Sequence, residues 1–102
     1  MMNNLNEFQQ NFMKALSDIQ ETCVQQMILN QNDNQSLQDK YYDITSEVII
    51  RIMEIIDGYD NYNIGRLKVI CEKSGEELKN NPYIELHDMI CDYLKRTDWQ
   101  II

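Results

Sequence analysis

Hydrophobic positions recur at helical spacing along the first third of the chain. Leu5, Phe8, Phe12, Leu16, Ile19, Cys23 and Met27 follow one another at intervals of three or four residues. At about 3.6 residues per turn such spacing keeps them on one face. Asn, Gln, Glu, Asp and Lys fill the positions between, so the pattern predicts one long amphipathic helix over residues 3–29. The polar run Asn30 to Ser36 breaks it and predicts a loop over 30–36. Leu37 to Tyr42 either opens the next helix early or forms a separate turn.

A second helix is predicted over 44–57. Asp43 or Thr45 can cap its start, and Glu47 places a negative charge in its first turn, where the helix dipole favours one. Gly58 follows Asp57 as a natural stop, since glycine adopts the left-handed conformation at no steric cost. From Val48 to Ile56 only Arg51 and Glu54 are polar, so more than one side of this helix must be covered. It is expected at the centre of the fold, or against a partner. Farther on, Leu67, Val69 and Cys71 alternate with Lys68, Ile70 and Glu72. That period of two, with the turn residues Lys73-Ser74-Gly75, predicts a β-hairpin over 66–79. Pro82 precedes a third predicted helix over 84–96, with Leu86, Met89, Ile90, Tyr93 and Leu94 as its apolar stripe. The tail, 97–102, is expected to lay Trp99, Ile101 and Ile102 on the body. The whole reads as one helix-rich α+β domain over 1–102: three helices, with a β-hairpin or small antiparallel sheet inserted before the last.

Composition narrows the function classes. Nine Lys and Arg against 17 Asp and Glu leave a net charge of −8. Such a chain repels phosphate backbones and anionic bilayers, which argues against nucleic acid and membrane as partners. A basic protein is the partner it attracts. The charge is uneven: residues 36–60 carry −4, whereas 61–84 carry +1. Three cysteines (Cys23, Cys71, Cys91), odd in number and without CxxC spacing, predict reduced thiols in the cytoplasm. The polar N-terminus shows no secretory signal, and no apolar run reaches the ~18–20 residues of a membrane span.

Candidate chemistry is sparse. His87 and Cys91 stand four apart on the third predicted helix, and Cys23 and Cys71 could complete a Cys3His zinc site. Both of those cysteines lie in apolar stripes, so they read as small hydrophobes, and His87 as a helix-surface residue. A Cys–His nucleophile needs an oxyanion hole and a cleft, for which the sequence offers nothing. Glu47, Arg51 and Glu54 form a salt-bridged polar stripe. The run Asp57 to Asn63 resembles an oxygen-rich calcium loop but lacks the glutamate that closes one. Phosphate loops, nucleophile elbows and HExxH motifs are missing from the sequence. The expectation is a protein that is not an enzyme and takes no cofactor or metal.

The feature that carries a function is a mixture of acid and tyrosine at both ends of the second helix. It occurs in Asp39-Lys40-Tyr41-Tyr42-Asp43 and again in Asp57-Gly58-Tyr59-Asp60-Asn61-Tyr62. The intervening helix sets the two runs roughly 20 Å apart. Tyrosine gives large contact area for little entropy, and acid beside it suits a basic partner. Tyr41, Tyr42, Asp43, Tyr59, Asp60 and Tyr62 are therefore the candidate contact residues. In this character the chain resembles the bacterial immunity proteins, which neutralise a cognate toxin, often a nuclease with a basic active site. The resemblance implies an acidic, cytoplasmic, protein-binding inhibitor. The alternative expectation is a structural or adaptor module that dimerises through its N-terminal or central helix, and a small thiol or zinc enzyme ranks last.

Overall fold

The structure, a computed structural model, describes residues 5–29, 35–79 and 81–96. Residues 3–4 of the predicted first helix, most of the predicted 30–36 loop and the tail with Trp99, Ile101 and Ile102 lie outside the described residues.

Helix α1 spans Glu7–Leu29. Asn6 and Gln9 open it with a reciprocal capping box. The Asn6 side-chain oxygen accepts the Gln9 backbone N–H at 2.8 Å, and the Gln9 side-chain oxygen accepts the Asn6 N–H at 3.0 Å. Its buried face is set by Ala15, Ile19 and Cys23, four residues apart. Leu5 and Phe8, at the start of the predicted stripe, stay exposed. Helix α2 spans Leu37–Ile56 and starts about two turns earlier than the cap expected at Asp43 or Thr45. The cap is Ser36, whose side chain accepts the Asp39 N–H at 3.1 Å. With Ser36 holding that first turn, Leu37 to Tyr42 is helical. Thr45 instead turns its hydroxyl back to the Tyr41 carbonyl at 2.6 Å.

The end of α2 is a Schellman motif. The Gly58 N–H reaches the Ile55 carbonyl at 3.0 Å and the Tyr59 N–H reaches the Glu54 carbonyl at 2.9 Å. Gly58 takes φ +102°, a conformation that strains any residue with a Cβ, so the stop is written into the glycine.

The β-hairpin expected over 66–79 is not present. Among the described residues there is no strand and no sheet, only one isolated antiparallel bridge between Ile70 and Glu77. The N–H of Cys71 reaches the Glu76 carbonyl and that of Leu78 the Val69 carbonyl, and pairing stops there. Alternation predicts a strand only if one of its faces is covered. Here Leu67 packs on the core, while Val69, Ile70, Cys71 and Leu78 are all exposed. Among the described residues the fold is therefore helical, not α+β.

The third helix is also shorter than the 84–96 expected. Helix α3 covers Leu86–Met89, and a 3-10 turn follows over Ile90–Asp92. Of the predicted stripe only Leu86 is buried, and Tyr93 is 81% exposed. Two anchors on α2 explain the shortening. His87 is tied to Asp57, and the Lys95 carbonyl accepts the buried Ser46 hydroxyl at 3.0 Å. Asp57 and Ser46 are eleven residues apart on a helical path, about 16 Å, whereas eight helical residues from His87 to Lys95 span only about 12 Å. The chain must unwind to meet both.

Helix α2 is the centre: α1 packs on it from one side, α3 and the 3-10 turn from another. The core is Ala15, Ile19, Cys23 and Ile55, with Phe12, Leu16, Ile44, Val48, Ile52, Tyr62, Ile64 and Leu67 packed around them. Among the described residues no helix is long and apolar enough to cross a membrane.

Candidate functional site

The six predicted contact residues fall in different places. Tyr41 and Tyr42 are exposed in the N-terminal half of α2, where with Leu37 and Thr45 they line a shallow apolar depression. The Lys95 ammonium sits 5.7 Å from the centre of the Tyr42 ring. Asp43 turns away from that patch to the Gln35 amide and lines a cavity beside Lys40 and Glu47. Tyr59 is exposed and meets the His87 ring edge-on, with centroids 5.3 Å apart.

Asp60 serves its own loop. Its carboxylate accepts the N–H groups of Tyr62 at 2.7 Å, Ile64 at 3.0 Å and Gly65 at 3.1 Å. This carboxylate takes the place of regular secondary structure for three backbone donors that follow α2. Tyr62 packs on the core, and its carbonyl accepts the Asn11 side-chain amide at 3.2 Å.

Asp60 and Tyr62 do share one feature, a groove of about 300 Å³ between α1 and α2. Ala15, Ile19 and Ile55 form its floor. Asp18 and Glu21 from α1 and Glu54 from α2 stand on its walls with Asp60. Asp18 and Glu21 are three apart on α1, so both project to the same side. The cation among them is Arg51, which is engaged by Glu47 at 3.6 Å and by the Gln26 amide oxygen at 3.3 Å. The sequence pattern points at tyrosines and passes over Asp18 and Glu21. Only the packing angle of two helices brings those acids opposite Glu54.

A second cluster lies at the junction of α2 and α3. The Asp57 side chain is wholly buried. Its Oδ2 accepts the His87 backbone N–H at 2.9 Å and faces the His87 Nδ1 at 2.8 Å. The Lys79 ammonium stands 3.6 Å from Asp57 Oδ1 and 3.2 Å from Glu85 Oε2. Burial pushes the Asp57 carboxyl up, but the hydrogen bonds from His87 and the Leu86 N–H, with the Lys79 charge, outweigh it and hold the group below its ordinary value. Burial likewise disfavours a charged His87. The Asp57 hydrogen bond and the charges of Asp88, Asp57 and Glu54 outweigh it and raise the imidazole above its usual value. His87 is therefore no free surface residue. Asp57, Glu85 and His87 each offer a ligand atom within 4.8 Å of the others, which makes them a donor set for a cation.

Cys23 and Cys71 do not join Cys91 beside His87. Cys23 is fully buried in the core, Cys71 is exposed in the loop before Gly75, and the Cys91 thiol donates to the His87 carbonyl at 3.4 Å. Burial pushes the Cys23 and Cys91 thiols up. The Ser74 hydroxyl, with the N–H groups of Ser74 and Lys73, pulls the Cys71 thiol down.

No protein family, characterised protein or solved structure matches this chain.

Proposed function

We propose that this chain is a protein-binding module that docks on a basic protein, in the manner of an inhibitor or immunity protein. The observation that carries the reading is the groove between α1 and α2: an apolar floor of Ala15, Ile19 and Ile55 beneath the carboxylates of Asp18, Glu21 and Glu54. A lysine or arginine side chain can lay its methylene stem on such a floor and its charge among such acids. The exposed apolar side chains support the same reading. Leu37 and Tyr41, neighbours on one patch, are each more than half exposed, and clustered exposure of that kind marks surfaces that meet other proteins. Net charge −8 speeds encounter with a basic partner, and the groove supplies a place for that charge to act.

The test separates the groove from bulk charge. A protein captured by this chain from its native cell is titrated against the wild type and two triple variants. One variant carries Asp18→Asn, Glu21→Gln and Glu54→Gln; the other removes three acids elsewhere, Glu72→Gln, Glu76→Gln and Asp92→Asn. The expected result is a basic partner whose affinity falls about tenfold, equivalent to about 1.4 kcal/mol, in the groove variant only. Equal losses in both variants, or an acidic partner, would refute the assignment.

A further inference from the structure

The cluster at the junction of α2 and α3 joins a wholly buried carboxylate to two further side chains that can ligate a metal. The structure assigns to Asp57, Glu85 and His87 a binding site for one divalent transition-metal ion, zinc by its donor set.

Three observations carry it. First, Asp57 Oδ1 is buried and accepts no hydrogen bond, although the Asp57 side chain is wholly enclosed. A buried carboxylate oxygen without a hydrogen bond is costly to keep. The partner of Oδ1 is the Lys79 ammonium, an ion pair at 3.6 Å and not a hydrogen bond. Second, the three ligand atoms lie within 4.8 Å of one another. Around a tetrahedral zinc with bonds of about 2.0–2.2 Å, ligand atoms sit about 3.3 Å apart. Side-chain shifts on the order of 1 Å would close the set. One imidazole with two carboxylates suits zinc better than magnesium or calcium, which take oxygen ligands alone. Third, a carboxylate stands beside the far ring nitrogen of the imidazole. Asp88 Oδ1 lies 3.5 Å from Nε2, the ring nitrogen facing away from Asp57. A carboxylate at that position steadies a metal-bound histidine.

The charges also suit a divalent ion. Two carboxylates, those of Asp57 and Glu85, now share one fixed cation, the Lys79 ammonium. A divalent ion meets both from one centre. Binding releases the Nδ1 proton of His87 to solvent, and the Lys79 side chain, no longer held by Asp57 and Glu85, swings outward. Lys79 is thus a competitor for the site, and this makes the proposal separable from a purely structural role.

The full chain is titrated with zinc ion alone by calorimetry, and with cobalt ion followed by its visible spectrum. One zinc per chain is expected, with affinity about tenfold or more weaker in Glu85→Gln and in His87→Ala. Lys79→Met is expected to tighten binding several-fold, the opposite of what loss of a supporting ion pair would do. The cobalt spectrum is expected to lack the charge-transfer band of thiolate ligands, which excludes Cys23, Cys71 and Cys91 as its source. Glu85→Gln removes a partly exposed group, so its result stands even if His87→Ala unfolds the chain. Failure of the wild type to bind zinc, equal binding by Glu85→Gln, no gain in Lys79→Met, or a thiolate band would each overturn the assignment.

Discussion

Replacing Asp57 with alanine tests whether the segment after α2 hangs on one side chain. The wild-type carboxylate is wholly buried and holds His87 through two hydrogen bonds, at 2.9 Å from the backbone and 2.8 Å from the ring. Hydrogen bonds to a charged group contribute about 1.5–3 kcal/mol each, and breaking a buried charge cluster by removing one partner costs about 3–5 kcal/mol. Two features reduce the loss. Lys79 keeps Glu85 at 3.2 Å, and the His87 ring is 23% exposed, so water can reach it. The expected cost is therefore about 3 kcal/mol, a large share of the 5–15 kcal/mol that holds a typical domain. At about 4–8 °C per kcal/mol in a domain of this size, the midpoint of thermal unfolding should fall by roughly 12–24 °C. Far-UV circular dichroism during heating, in metal-free buffer, reads it directly. Asp57→Asn keeps an acceptor for the His87 N–H and should lose about half as much. A drop below about 4 °C in Asp57→Ala would show that residues 79–89 do not depend on this carboxylate, and the account of the junction would fail.

Two further outcomes follow from local structure. Ser36→Ala removes the oxygen that caps α2 and should cost about 1 kcal/mol, seen as a midpoint lower by about 4–8 °C; an unchanged midpoint would place the start of α2 elsewhere. Under limiting iodoacetamide at mildly alkaline pH, mass spectrometry should find Cys71 alkylated before Cys91 and Cys23, because Cys71 is exposed with a thiol held below its ordinary value while burial raises the other two. Equal labelling of Cys71 and Cys91 would contradict the loop geometry at Ser74.

Local chemistry made the two long helices legible. The apolar period of α1 and the density of apolar residues in α2 are helical signals at short range, and Gly58 marks a stop that needs no distant partner. The capping pairs Asn6–Gln9 and Ser36–Asp39 were equally available in the sequence. Ser36 stood inside a polar run read as a loop, while Asp43 and Thr45 offered competing caps closer to the apolar stretch. The candidate contacts fared unevenly for a related reason. Acid and tyrosine adjacent in sequence predict a shared surface only where the backbone points both outward. Tyr41 and Tyr42 point outward but Asp43 turns from them to Gln35, while Asp60 is turned inward to three backbone donors and Tyr62 to the core.

The pair of long helices, the stop between Asp57 and Tyr59, and the excess of negative charge follow from the order of residues alone. The remaining features depend on how the helices pack. Residues 66–79 alternate like a hairpin, but a strand needs a buried face, and no element of the described chain covers Val69, Ile70 and Leu78. Helix α3 is cut short because its two ends must reach Asp57 and Ser46 on α2. The acids of the groove and the Asp57–His87 pair, 30 residues apart, meet only after the helices pack. Helical period and capping are settled within a turn or two of chain, whereas burial, charge pairing and strand formation depend on which distant residues come to lie alongside.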